Sequence, residues 1–155
     1  EVDVLIVGLG PVGAALALLL SRHGTNTLVI DKTTDIFMAP RAIALDNEAL
    51  RVLQMCGLEE DAFDKVAIPE VRMHSPMFGQ YSRAVTAGSV DGHPKLVTFF
   101  QPQLERVLRE RLRDNRHVTV AWGRDFSDVT PMRGVILGGG GYRRRGRWLR
   151  RRSLR

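Results

Sequence analysis

Val2-Asp3-Val4-Leu5-Ile6-Val7-Gly8-Leu9-Gly10-Pro11-Val12-Gly13 stands at the front of the chain and decides its fold. The run from Val2 to Val7 is short, apolar and β-branched, the composition of a buried parallel strand. Three glycines follow at once in the spacing Gly8-x-Gly10-x-x-Gly13. Each stands where a side chain obstructs: Gly8 allows a tight turn out of the strand, Gly10 lets backbone approach a pyrophosphate, and Gly13 lets a helix pack closely on the strand. Residues 14–22 are good helix formers, and Gly24 is placed as a C-terminal stop. Thr27-Leu28-Val29-Ile30 reads as a second strand ending at Asp31, 18 residues beyond Gly13. Strand, glycine turn, helix and strand fill about 30 residues, the size of one βαβ unit. The start of such a helix offers N–H groups and a partial positive charge to phosphates. A carboxylate at the end of the second strand accepts hydrogen bonds from adenosine ribose hydroxyls and disfavours a 2′-phosphate. The glycine pattern alone is a weak signal; its context and the position of Asp31 make dinucleotide binding the expectation. A solvated strand-end carboxylate is the alternative for Asp31.

Beyond this unit, residues 33–40 read as a loop. Asp46 is a candidate cap for a helix over residues 47–55, closed by Gly57, with Ala49, Leu50, Leu53 and Cys56 at helical spacing. Residues 66–100 suggest a small β element with strands near 71–74, 82–86 and 95–100, and Asp91-Gly92 reads as a hairpin turn. Gln101-Pro102 opens a helix running to Asp114, since proline suits the first helical turn. Leu104, Val107, Leu108 and Leu112 form its apolar stripe, and Glu105, Arg106, Arg109, Glu110 and Arg113 are expected on its polar side. Residues 118–122 read as a further strand, and 134–137 as a strand edge. The expected fold is α/β: a Rossmann-like parallel sheet with flanking helices plus a small β element, incomplete as a domain. Residues 1–137 are expected to be the binding domain, and the Gly/Arg-rich residues 138–155 a disordered tail.

Composition narrows the function classes. The 155 residues are 44% hydrophobic and 26% charged, ordinary for a globular chain. The net charge of +6 misleads, because eight of the 23 basic residues lie in 143–155; the other 15 face 17 acidic residues, a net of −2 over residues 1–142. The tail therefore carries the basic character, which weakens any case for specific nucleic-acid binding. One cysteine, Cys56, excludes an internal disulfide and a Cys-based metal site; among Leu53, Met55 and Leu58 it reads as a buried filler. The most apolar stretch, residues 14–20, is too short to span a bilayer. With no basic signal segment at the front, a cytoplasmic location is expected. His23, His74, His93 and His117 are scattered without metal spacing, and no Gly-x-Ser-x-Gly elbow suggests a hydrolase.

The glycine motif does not separate FAD from NAD, so that choice rests on the resemblance carried by three stretches: residues 3–13; Val29-Ile30-Asp31-Lys32; and Pro40-Arg41-Ala42-Ile43-Ala44-Leu45-Asp46. They resemble the FAD-dependent aromatic hydroxylases, the class A flavin monooxygenases of the p-hydroxybenzoate hydroxylase-like family. The likeness runs closest to the branch acting on 3-(3-hydroxyphenyl)propionate. It continues through Phe99-Phe100-Gln101-Pro102-Gln103-Leu104-Glu105 to about residue 130. The resemblance implies bound FAD, reduced by NADH or NADPH, and hydroxylation of a small phenolic substrate by O2 through a flavin C4a-hydroperoxide. It implies that Arg41 contacts the FAD and that Gln101 reaches the flavin ribityl chain. A guanidinium suits the first role through paired bonds to phosphate or ribose oxygens. A plain helix N-cap is the alternative for Gln101. The implied cofactor-binding set is Gly8, Gly10, Pro11, Val12, Gly13, Asp31, Lys32, Arg41 and Gln101, with no catalytic side chain and no metal.

Two further family signatures, an Asp-Gly pair after a later strand and a Gly-Asp pair near the ribityl chain, do not occur in their expected context; Asp91-Gly92 precedes Gln101. The substrate-covering domain is also missing. The composition collapses into glycine and arginine after about residue 140, which suggests a truncated or frame-shifted product, inactive alone. Two rival readings remain: a fragment of an NAD-dependent Rossmann oxidoreductase, and a nucleic-acid or anionic-surface binder acting through the arginine tail with Tyr142 and Trp148. Membrane partners are not expected, and the oligomeric state is not legible.

Overall fold

The computed structural model describes residues 2–39 and 41–126. Along the chain these form β1 (Val4–Val7), α1 (Pro11–Arg22), β2 (Thr27–Asp31), β3 (Ala44–Asp46), α2 (Asn47–Met55), β4 (Lys65–Ala67) and β5 (Glu70–Ser75). There follow β6 (Gly79–Val85), β7 (Ser89–Val90), β8 (His93–Pro94), β9 (Leu96–Phe99), α3 (Gln101–Arg113) and β10 (Val118–Trp122). The described residues divide into two compact units, one of residues 2–35 with 109–126 and one within residues 36–108. The expected strand at 134–137 and the tail at 138–155 lie outside the described residues.

The first unit is built on a parallel sheet ordered β1-β2-β10, with β2 in the centre. Val4 to Val7 of β1 pair with Thr27 to Ile30, and Val118 to Trp122 of β10 pair with Thr27 to Asp31. Parallel strands need a crossover, and α1 provides it between β1 and β2. Its small residues Ala14, Ala15 and Ala17, with Leu18, are buried, so the helix lies close to the sheet, where Ile6 and Val29 are buried too. Arg22 sits in its last turn, where a cation complements the helix dipole, and Gly24 ends it at φ +72°. The βαβ reading therefore holds, with α1 beginning three residues earlier than the composition suggested, at Pro11.

The second unit is mostly antiparallel. β9 pairs with β3 on one side and β4 on the other, and β5 pairs with β6 in a hairpin carrying an irregularity at Met73 and His74. Asp91 and Gly92, both at positive φ, form the two-residue turn between β7 and β8. That is the geometry a hairpin of right-twisted strands favours. The Asp46 carboxylate accepts from the Ala49 N–H at 2.8 Å, capping α2 as expected. Leu50, Leu53, Cys56, Leu58, Phe63, Val97, Leu104 and Leu108 are buried here, with Phe63 edge-on to Phe99. The β element is thus wider than 66–100, because β3 at 44–46 joins it through β9.

Candidate dinucleotide site

The glycine turn of the first unit is built from backbone. Gly8 has φ +99°, a region costly for any residue with a Cβ, and its N–H donates to Ile30 O at 2.8 Å. A Cβ on Gly13 would stand 2.0 Å from Gly8 O, so helix and turn approach too closely for any side chain. Gly8 and Gly10 face open space, with no atom within 4 Å of a Cβ built on either. These opposite surroundings match opposite duties: Gly13 permits packing, and Gly10 keeps a surface clear. Gly10 is the N-cap of α1 in extended conformation, and Ala14 N–H closes the first helical turn onto Gly10 O at 2.9 Å. A helix leaves its first N–H groups without intrahelical partners. Pro11 has none to offer, so Val12 and Gly13 supply them. Val12 is 82% exposed, an apolar residue held at the surface beside these donors.

Asp31 faces this turn. Its Oδ2 accepts from the Leu9 N–H at 2.6 Å, and its Oδ1 accepts from the Thr33 N–H at 2.8 Å and the Thr33 hydroxyl at 2.9 Å. Partial burial pushes the carboxyl pKa up. The Leu9 N–H, the Thr33 N–H and hydroxyl, and the Arg109 guanidinium outweigh that and hold it below the usual carboxylate range. Asp31 is therefore an anion at neutral pH. Lys32 beside it is exposed.

Arg109 and Trp122 belong to the same neighbourhood, and sequence reasoning did not find them. Trp122 pairs with Asp31 across the sheet. Arg109 lies over the Trp122 ring at 4.8 Å and donates to Thr34 O at 3.1 Å. A guanidinium stacked on an indole is rigid and partly desolvated, which strengthens its field on a neighbouring carboxylate. In the sequence Arg109 counted among the polar residues around the α3 stripe, and no local pattern marked it as a neighbour of Asp31.

The second unit gathers Arg41 and Gln101. Gln101 is buried at the start of α3, and its Oε1 accepts from the backbone N–H groups of Arg41 (3.0 Å) and Ala42 (2.8 Å). Its Nε2 donates to Glu105 Oε1 at 2.8 Å. Glu105, expected on the polar side of α3, is buried instead, because Gln101 gives it a partner one turn away. The plain N-cap alternative for Gln101 does not hold: it is the first residue of α3, and its side chain serves a segment 60 positions earlier. Arg41 is exposed, with its guanidinium 5.4 Å from the Phe37 ring.

What the donors can hold follows from this geometry. A glycine turn with open space above it, helix-start N–H groups and an anionic carboxylate suit a diphosphate and its adjoining ribose. Fold and site together define an α/β dinucleotide-binding protein. The chain belongs to the FAD binding domain family, whose model matches residues 1–135.

Relatives agree with this assignment. The chain is 36% identical over 130 residues to a 3-(3-hydroxy-phenyl)propionate/3-hydroxycinnamic acid hydroxylase of Mycolicibacterium smegmatis, covering 83% of this chain and 23% of that protein. It is 38% identical over 130 residues to the hydroxylase of that name from Paraburkholderia xenovorans, covering 83% and 21%. The chain thus spans about a fifth of the length of the curated relatives it matches. Among solved structures, p-nitrophenol 4-monooxygenase PnpA from Pseudomonas putida superposes with a TM-score of 0.64 at 25% identity, covering 78% of this chain and 31% of that one. PqsL, a probable FAD-dependent monooxygenase from Pseudomonas aeruginosa, gives 0.67 at 23% identity over 84% of this chain and 35% of its own, and shares the fold. Among the described residues no helix is long and apolar enough to cross a membrane, and no cluster of three metal-ligating side chains occurs.

Proposed function

We propose that this chain is the FAD-binding part of a flavoprotein monooxygenase that hydroxylates a phenolic ring, working in the cytoplasm. The observation that carries the reading is the pairing of an open glycine turn with the Asp31 carboxylate facing it. Gly8, Gly10, Pro11, Val12 and Gly13 take the diphosphate, the last two through their N–H groups. Asp31, on releasing Leu9, accepts from the ribose hydroxyls, with Lys32 at its edge. Arg41 supplies a guanidinium to the cofactor's phosphate or ribose oxygens, and the second amide hydrogen of Gln101 is available to the ribityl chain. No side chain of this set is asked to act as base or nucleophile. The chemistry FAD supplies when bound is hydride acceptance from NADH or NADPH and oxygen transfer from O2 to an electron-rich ring. The similarity to hydroxylases of 3-(3-hydroxy-phenyl)propionate and 3-hydroxycinnamic acid favours a hydroxylated phenylpropanoid acid as the substrate class. By themselves, the 155 residues are expected to bind FAD without hydroxylating.

Ligand selectivity tests this reading, because the glycine turn and Asp31 grip the adenosine diphosphate half. Thermal shifts of the full chain with FAD, FMN, NADH and NADPH form the experiment. FAD is expected to raise the melting temperature, FMN to leave it unchanged, and NADPH to bind worst through its 2′-phosphate. A larger shift with NADH than with FAD moves the chain to the nicotinamide-dependent dehydrogenases.

A further inference from the structure

We propose that Gln101 and Glu105 form a latch that fixes the backbone of Arg41 and Ala42, so that Gln101 acts chiefly as a positioning residue through Arg41. The proposal rests on the FAD reading above. One amide oxygen takes two successive backbone N–H groups, at 3.0 and 2.8 Å, and the amide nitrogen of the same side chain reaches Glu105 at 2.8 Å. Gln101 is 8% exposed and Glu105 6%; their mutual bond is buried and the two bonds to Arg41 and Ala42 are part-buried, so a lost partner on either side chain is costly. The arrangement fixes the amide's orientation. Turned over, the NH2 group would meet two N–H donors and the oxygen would meet a carboxylate. The next residue is pinned as well: Ile43 O accepts from the Thr98 hydroxyl at 2.8 Å and the Phe99 N–H at 3.4 Å.

Three consecutive residues, 41–43, are therefore clamped by their backbone, while the Arg41 side chain stays exposed beside Phe37. Flexible arginines lose rotamer and loop entropy on gripping a ligand. A clamped backbone removes the loop's share of that cost before the ligand arrives. Ordering a segment from two buried polar groups, rather than from apolar packing, also makes the clamp specific to one register of the chain: only N–H groups standing side by side satisfy the oxygen.

The experiment uses the full chain with Gln101→Leu, Glu105→Leu, Glu105→Gln and Arg41→Ala, alone and combined. Amide hydrogen exchange without cofactor and FAD affinity at several salt concentrations are the readouts. Gln101→Leu and Glu105→Leu are expected to speed exchange at Arg41 and Ala42 while the β1-α1-β2 amides keep theirs. Both should weaken FAD by about tenfold, as the loss of a charge-assisted contact does, and flatten its salt dependence as Arg41→Ala does. Glu105→Gln, which still accepts from Gln101, should restore both readouts. With Arg41 already alanine, Gln101→Leu should cost little further affinity. An equal loss in that background overturns the proposal, since Gln101 then acts on the cofactor itself or on the whole fold. Glu105→Leu carries the same test if Gln101→Leu does not fold. Normal FAD binding with unchanged exchange at 41 and 42 overturns the latch alone. Failure of the unsubstituted chain to bind FAD overturns the FAD reading and the latch's purpose with it.

Discussion

Gly10 and Gly13 share one motif, yet their substitutions should fail in opposite ways. An alanine Cβ at Gly13 would sit 2.0 Å from Gly8 O, where ordinary contact begins near 3.4 Å. The obstacle is backbone, held by the Gly8 N–H bond to Ile30 O, so helix and turn must part by about 1.4 Å. Overpacking of this kind costs about 1–3 kcal/mol, and each kcal/mol lowers the melting temperature by about 4–8 °C in a small domain. Gly13→Ala should therefore melt well below the parent chain before any ligand is added. A Cβ at Gly10 meets nothing within 4 Å, and valine suits the extended backbone already present, at φ −76° and ψ −174°. The loss of stability in Gly10→Val should stay within about 1 kcal/mol, the scale of a poorer helix cap. Its isopropyl group, however, fills the space reserved for the diphosphate, so FAD affinity should fall at least about tenfold, the factor that 1.4 kcal/mol represents. Circular dichroism melts and FAD fluorescence titrations of the two variants make the comparison. A stable Gly13→Ala, or a Gly10→Val that binds FAD like the parent, refutes the reasoning.

Acid unfolding should report on Asp31. Its carboxyl is held below the ordinary range in the folded chain, so the stability it contributes is complete above about pH 4 and fades as pH falls through the lowered value. Urea unfolding of Asp31→Asn should differ from the parent at pH 7, and the difference should shrink as pH falls through the lowered Asp31 value; a gap that does not shrink in acid contradicts the assignment. Arg109→Leu should raise the Asp31 pKa modestly, since hydrogen bonds from Leu9 and Thr33 outrank its charge, and carboxyl NMR titration reads this directly. Asp46→Ala removes the bond to the Ala49 N–H and should cost about 1 kcal/mol, seen as a lower melting temperature with FAD affinity kept.

The parts of the fold legible in the sequence are those whose causes are local. β1, the glycine turn, α1 and β2 follow each other within 31 residues, and each carries its own signal of branching, glycine spacing or helix propensity. Asp46 announced α2 by capping it three residues on, and Asp91-Gly92 announced its turn by needing positive φ twice. What stayed hidden depends on distant partners. β3 has only three residues and exists because Ala44 pairs with Thr98, more than fifty positions away. Glu105 looked solvent-facing because helical periodicity counts apolar residues, and a buried carboxylate breaks that count. The Arg109-Trp122-Asp31 neighbourhood is assembled by sheet pairing, which leaves no local trace. For Gln101, the sequence offered its place at the head of a helix, while its bonds to Arg41 and Ala42 required the tertiary structure.

Amide chemical shifts during an FAD titration of the 15N-labelled chain probe the diphosphate contact at its donors. Saturable shifts of Gly10, Val12 and Gly13, accompanied by Leu9 as Asp31 turns from its amide to the ribose, are the predicted result. Saturating FAD that moves none of these four signals in a folded chain would contradict the account.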